Sequence, residues 1–422
     1  MNAPKVHRAS ATRALALLLL LAVAVFAGTV PANGASSGGA GPTTDPSTSL
    51  ADPPSPPPAP AAGSPFDSRG MWIWELPRSS GGSISAIISK ARHYGVRTLF
   101  IKSSDGRNLW SQFTSRRVAA LRRAGLKFCA WQYVYGTYPD TEAALGAKAK
   151  ALGAQCLVID AEGEYEGKYA AAQRYIHVLR SKTGAAYPVA LAGFPYNDYH
   201  PAYPLSVFLG PGGAQYNVPQ MYWKAIGTSV DRVYSHTYRN NRPYGRAIAP
   251  LGQSYDRVPG RDIDRFRLLA RSYRAKNVSW WDWQEARLSD FHEIARGLRS
   301  LKGFRPDNTY ATLARGARGD LVVWAQQHLR TAGQAVPVDG VFGPRTQAAV
   351  KAFRAAQGLR AGSTIDTATW QSLLRFRAAA VRWSHASSGA RSASAAGGSS
   401  RDSAPLSAHD RPRRTEIPRK RH

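Results

Sequence analysis

Between Gly70 and Gly303, short apolar runs alternate with segments whose apolar residues recur at helical spacing. The strand-like runs fall at residues 71–74, 98–102, 127–133, 155–160, 189–194, 218–222, 247–251 and 278–282. Between them lie amphipathic stretches such as Ile84, Ile87, Ile88 and Ala91, or Tyr175, Ile176 and Leu179, and a last helix is expected over 288–301. Eight strand-then-helix units over this length predict an α/β fold, a (β/α)8 TIM-like barrel, for which about 250 residues is typical. A doubly wound open sheet is the alternative, and no Gly-rich phosphate turn follows the first strand to favour it. Past Gly303 the strand signal stops. Val322, Ala325 and Leu329 share one helical face with Asp320 as its cap; Pro344 opens a second helix carrying Ala349, Val350 and Phe353; Trp370, Leu373 and Leu374 mark a third. Three short helices predict one small core.

The two ends of the chain read differently. Lys5, Arg8 and Arg13 precede an apolar run at 14–27, and small residues follow at Val30, Pro31, Ala32 and Ala35. The run is shorter than the roughly 20 residues that span a bilayer, so 1–34 is expected to be a signal peptide rather than an anchor. Residues 35–66 are dominated by Pro, Ala, Gly and Ser and predict an extended linker; 377–422 predict a disordered basic tail. The barrel is assigned to 67–303 and the helical domain to 310–376.

Charge narrows the partners only in combination with export. The 56 Lys and Arg against 27 Asp and Glu give +29, which suits nucleic acid, anionic lipid or acidic polymers equally. Runs such as Arg116, Arg117, Arg122 and Arg123 fit a solvated helix face. With export, nucleic acid drops out and acidic wall polymers become the partner expected of the basic tail. No later stretch is apolar enough to span a membrane, so the expected product is a secreted, wall-associated monomer. Export also makes Cys129 and Cys156, on neighbouring predicted strands, either a bridge or two buried free thiols.

The helical domain carries the most specific motif. Gly319-Asp320-Leu321-Val322, then Gln326 and Leu329, then Asp339-Gly340-Val341-Phe342-Gly343, then Thr346, Ala349-Val350 and Phe353, then Gly358-Leu359, follow one another in helical phase. This order closely resembles the peptidoglycan-binding domain of many secreted wall enzymes. The resemblance implies peptidoglycan as partner and marks Asp339, Gly340, Phe342, Gly343 and Thr346 as the motif, either as ligand contacts or, with more weight, as fold determinants. Arg354 departs from the Gln common in the family.

In the barrel, the sharpest chemistry is Cys156-Leu157-Val158-Ile159-Asp160-Ala161-Glu162. Two carboxylates at i and i+2 on a strand point to one side, about 6.5–7 Å apart along the backbone. Repulsion and desolvation can hold one ionised and the other protonated, the division of labour that glycosidic cleavage needs. Aromatic residues with polar edges, suited to pyranose rings, cluster toward the same predicted rim. Together with Gln220-Met221-Tyr222-Trp223 and Trp281-Asp282-Trp283-Gln284, the Asp-x-Glu resembles barrel glycoside hydrolases of the lysozyme-like and chitinase-like kind. That resemblance implies Glu162 as general acid, Asp160 as its ionised partner, Tyr222 as hydrogen-bond donor and Asp282 as a further carboxylate. Trp72, Trp131, Tyr133, Trp223, Trp283 and Gln284 are the expected substrate contacts, while Trp74 and Trp281 are expected to point away from the lumen. Where the lysozyme-like pattern has an Asp on the first strand, Glu75 stands; where the chitinase-like pattern has a further Asp, Val158 stands. Glu164 and Glu166 are expected to be solvated.

Other chemistries find no pattern. His292-Glu293 is followed by Arg296 where a zinc motif needs its second His, Gly252-Gln253-Ser254-Tyr255-Asp256 lacks the second glycine of a nucleophile elbow, and no phosphate-binding Gly-x-x-x-x-Gly-Lys occurs. No metal or cofactor is expected. The alternative function is a non-catalytic wall-binding protein whose barrel binds sugar or serves as a scaffold.

Overall fold

The computed structural model describes residues 63–384. The expected signal peptide, most of the linker and the tail beyond 384 lie outside the described residues. Among the described residues, eight parallel strands form the barrel: β1 (Gly70–Ile73), β2 (Thr98–Asp105), β3 (Lys127–Val134), β4 (Cys156–Ala161), β5 (Val189–Gly193), β6 (Tyr216–Pro219), β7 in two pieces (Ala247–Ile248 and Leu251–Gln253) and β8 (Ser279–Trp281). The longer helices and one short one that follow the strands are α1 (Ile84–His93), α2 (Ser115–Arg123), α3 (Pro139–Ala151), α4 (Tyr169–Thr183), α5 (Leu205–Phe208), α6 (Val230–Asn241), α7 (Gly260–Ser272) and α8 (Leu288–Ala295), and a further single helical turn spans Trp223–Ile226 after β6.

β7 breaks because Pro250 has no N–H to give a ladder. Its first piece pairs with β6 and its second with β8. A bridge between Gln220 and Leu251, with the Met221 N–H donating to the Leu251 carbonyl at 2.9 Å, closes the ring. The open-sheet alternative is thereby excluded. α8 ends at Ala295 rather than 301, because Arg296 turns extended (φ −60°, ψ 147°).

Alternation sorts the strand residues into two layers. Met71, Ile73, Leu99, Ile101, Leu157 and Ile159 face the helices, while Trp72, Phe100, Cys129, Trp131, Cys156, Val158, Ala190, Ala192 and Trp281 fill the lumen. Large rings on β1, β2, β3 and β8 oppose small residues on β4 and β5, so the lumen is packed rather than hollow. Cys129 and Cys156 are paired in register and joined by a disulfide across a Cα–Cα distance of 4.6 Å. The end of the expected linker belongs to this core. Phe66 closes the bottom against Phe100 (5.7 Å) and Tyr216 (4.4 Å), and the Pro65 carbonyl accepts from the Thr98 hydroxyl at 2.8 Å.

The second domain comprises α9 (Asp320–Thr331), α10 (Pro344–Ala356) and α11 (Thr367–Leu373). It and the barrel belong to one compact unit. Asp320 does not cap its helix as expected. Gly319 occupies the cap at φ +108°, where a Cβ would meet the Pro201 carbonyl oxygen at 2.5 Å, and Asp320 turns into the barrel. There its carboxylate accepts from the Ser206 N–H (2.8 Å), the Ser206 hydroxyl (2.6 Å) and the Tyr244 hydroxyl (2.8 Å). The Trp324 indole donates to the Pro243 carbonyl at 2.6 Å beside it. The chain from 377 was expected to be tail, yet it packs as far as Trp383. The Gln173 amide holds Val381 and Trp383 (2.7 and 2.9 Å), and the Trp383 ring lies 4.3 Å from Tyr169.

Candidate functional site

β4 delivers the carboxylate pair as the period of two requires. Val158 and Asp160 share the lumen side, Ala161 turns outward, and Glu162 follows in extended conformation (φ −133°, ψ −147°). Asp160 is only 2% exposed, whereas Glu162 is half-buried. The two are bridged by one group: Gln220, just past β6, donates from Nε2 to Asp160 Oδ1 at 2.9 Å and to Glu162 Oε1 at 3.0 Å. The bonded oxygens are therefore no more than about 6 Å apart. Gln220 was visible only as part of a motif and had no assigned role.

Three tyrosines surround the pair. The Tyr133 hydroxyl donates to Glu164 Oε2 at 2.9 Å, so Glu164 joins the cluster rather than lying in solvent. Burial pushes the Tyr133 hydroxyl up, and Glu162, Asp160 and Glu164 push it further. Tyr222 is raised well above its ordinary range, first by burial and then by Tyr255, Asp160, Glu162 and Asp282. Tyr203, fully buried, donates to the Ala161 carbonyl at 2.8 Å and braces β4 from behind. All three stay protonated at neutral pH, as donors. Asp282 is buried at the end of β8, where its Oδ1 accepts from the Glu285 N–H at 3.2 Å. The structure thus brings Asp160, Glu162, Tyr133, Tyr222 and Asp282 to one end of the barrel.

A second polar network adjoins the first. Lys102, buried in the lumen, pairs with Asp105 at 2.5 Å and lies over the rings of Trp110 (4.3 Å) and Trp131 (5.1 Å). Asp105 also accepts from the Tyr135 hydroxyl at 2.9 Å. A bulge between Lys102 and Ser104 in β2 places both Lys102 and Asp105 at this end. Neither the bulge nor the pairing has a signature in a single sequence.

Several expected contacts lie elsewhere. Trp223 is buried on the outer layer, 5.2 Å from Phe266, and Trp283 packs on Phe291 at 5.2 Å with its indole donating to the Ser80 hydroxyl. Both follow strand ends, where alternation no longer applies: β6 stops at Pro219 and β8 at Trp281. Trp72 and Trp131 do face the lumen but are sealed, their indoles donating to Ser279 Oγ (3.1 Å) and the Ile73 carbonyl (3.0 Å). They form the floor. Trp74 and Trp281 belong to the lumen cluster rather than pointing away from it. Gln284 is a strut: its Oε1 accepts from the backbone N–H groups of Trp74 and Glu75, each at 3.2 Å. The Glu75 carboxylate turns to Arg78 at 3.4 Å.

In the helical domain, the motif builds the turn. Buried Gln326 accepts the N–H groups of Asp339 (3.0 Å) and Gly340 (2.9 Å) and donates to Asp339 Oδ1, the Val341 carbonyl and Thr346 Oγ1. Gly340 sits at φ +71° and Phe342 is fully buried. Arg354, where the family often has Gln, donates to the carbonyls of Arg360 and Thr364 and pairs with Asp366 at 3.0 Å, fastening the loop before α11.

Residues 318–373 match the family model described as "Putative peptidoglycan binding domain". The helical domain is a peptidoglycan-binding domain. Among solved structures, the chain is similar to an endo-β-1,4-mannanase from Thermotoga petrophila (10% identity, TM-score 0.42, covering 55% of this chain and 76% of that one). It is likewise similar to a chitinase from Chromobacterium violaceum (10%, 0.41, 54% and 97%) and the spore cortex-lytic enzyme SleL of Bacillus megaterium (10%, 0.39, 56% and 75%). No curated protein matches the chain in sequence. Among the described residues, no cluster of His, Cys, Asp or Glu could hold a metal ion, and no helix is long and apolar enough to cross a membrane.

Proposed function

We propose that the chain is an exported wall enzyme that holds peptidoglycan through its helical domain and hydrolyses glycosidic bonds of the amino-sugar strand at the barrel mouth. The observation that carries this reading is the Asp160–Gln220–Glu162 bridge. Glu162, the more exposed of the two, reaches the glycosidic oxygen and gives it a proton. Gln220, donating to Oε1, holds the Glu162 carboxyl in place for that transfer. Asp160, sealed beneath, stays ionised and favours the positive charge that develops as the bond breaks. An ionised carboxylate beside a second one favours the protonated form of its neighbour, the form a general acid needs. Tyr222, kept protonated, donates to the substrate or intermediate. Water completes the hydrolysis, so one new reducing end appears per bond cut.

Incubation of purified peptidoglycan with the full chain and with Glu162→Gln tests the reading. Wild type is expected to release reducing ends and the variant to fall by a hundredfold or more. Equal release, or none from wild type, favours a barrel that binds or scaffolds without turnover.

A further inference from the structure

A hairpin at the barrel rim holds an arginine whose N–H groups make no hydrogen bond among the described residues. Residues 104–109 double back on β2, Ser104 pairing with Leu109 and Asp105 with Asn108. The turn is pinned from below, where the Gly106 N–H donates to the Tyr133 carbonyl at 2.9 Å. Gly106 sits at φ +50° with the Tyr135 ring 3.1 Å from where a Cβ would be, so the hairpin lies directly on that ring. This geometry presents Arg107 outward, stacked on the ring of Tyr138 at 4.0 Å. Tyr138 is 48% exposed and Leu109 36%, so both present apolar surface to solvent.

Stacking uses the face of a guanidinium and leaves its in-plane N–H groups free. Among the described residues Arg107 has no ion pair and donates no hydrogen bond, although the neighbouring mouth is lined by Asp105, Asp160, Glu162 and Glu164. An arginine fixed in place by an aromatic ring, with its donors unspent, is built to receive an anion, and a planar fork matches a carboxylate. The adjoining Tyr138 edge and Leu109 offer an apolar surface for the body of a sugar.

We propose that Arg107 and Tyr138, which follow β2 and β3, form a subsite for a carboxylate carried by an amino-sugar strand, at the same end of the barrel as the Asp160–Glu162 pair. The substrate class this implies rests on the hydrolase reading, while the binding itself does not. In peptidoglycan the carboxylate has two sources: the lactyl ether on alternate sugars, where no peptide is attached, or the free carboxylates of stem peptides. A neutral chitin strand has neither. The subsite therefore separates wall glycan from chitin.

Affinities are measured for the full chain carrying Glu162→Gln, so that nothing turns over, with and without Arg107→Ala. The probes are chitotetraose, a tetrasaccharide of the same backbone bearing free lactyl carboxylates, and that tetrasaccharide with stem peptides attached. The Arg107 form is expected to prefer at least one carboxylated probe over chitotetraose by about tenfold, the worth of one charge-assisted pair, and Arg107→Ala to reduce that ratio to near one. Which probe is preferred identifies the source. No preference in the Arg107 form, or a preference that survives Arg107→Ala, overturns the proposal. An unchanged thermal midpoint confirms that the variant is folded. A failure of the hydrolase reading appears instead as absent reducing-end release, with the affinity ratio still readable.

Discussion

Asp320 accepts both the N–H and the hydroxyl of Ser206, 114 residues away, and so fastens the peptidoglycan-binding domain to the barrel. Burial raises its carboxyl from 3.8 to about 6, against the opposing pull of its Ser206, Tyr244 and Tyr169 donors. A folded value above the unfolded one means the contribution is fully present below pH 4 and is lost as pH rises through 6. The loss is on the order of 3 kcal/mol.

Stability of the wild-type chain to urea is therefore expected to carry a component that falls between pH 4 and pH 7, and Asp320→Asn is expected to remove it. Parallel pH profiles for the two proteins would show that Asp320 does not titrate as the buried junction requires.

Gln326 satisfies two backbone N–H groups of the Asp339-Gly340 turn with one oxygen. Gln326→Ala leaves the buried Gly340 donor and the part-buried Asp339 donor unpaired, at a cost of about 2 kcal/mol. Chemical denaturation is expected to show this loss together with weakened retention on insoluble peptidoglycan. Asp339→Asn, which keeps an acceptor at Oδ1, is expected to lose less than about 1 kcal/mol.

Trp223 and Tyr222 are adjacent in sequence and opposite in consequence. Trp223→Ala empties a buried site beside Phe266 and is expected to cost about 3–5 kcal/mol in thermal or urea unfolding. Tyr222→Phe keeps the packing and removes the hydroxyl proposed to donate to the substrate, so stability holds while reducing-end release falls by roughly tenfold to a hundredfold. Loss of release in Tyr222→Phe that tracks a drop in stability would count against the donor role.

In the proposed reading Gln220 positions both carboxylates, and its substitution separates position from fold. Gln220→Leu is expected to lower kcat on soluble wall glycan by about a hundredfold. It also shifts both limbs of the pH–rate profile upward, because both carboxylates lose a donor to their ionised form. A loss of kcat with an unmoved profile would mean that Gln220 acts only as packing.

The Asp160–Glu162 pair was legible because a continuous apolar run followed by Asp-x-Glu obeys the strand period until β4 ends. The same logic failed at Trp223 and Trp283, which lie past Pro219 and Trp281, where the chain leaves the strand and alternation carries no direction. Ala247–Ile248 and Leu251–Gln253 read as one run, and Pro250 was the available sign that they are two. Asp320 was misread for a different reason: an acidic residue at a helix start is ordinarily a cap, and its true partners, Ser206 and Tyr244, are distant in sequence. Lys102 and Asp105 depend on a bulge that no periodicity announces.

The most direct measurement compares wild type, Glu162→Gln and Asp160→Asn for reducing ends released from peptidoglycan, with retention of each protein on the same material determined in parallel. The predicted result is release by wild type alone at equal retention of all three. Undiminished release by either variant, or no release by a wild type that is fully retained, would contradict a catalytic role for the carboxylate pair.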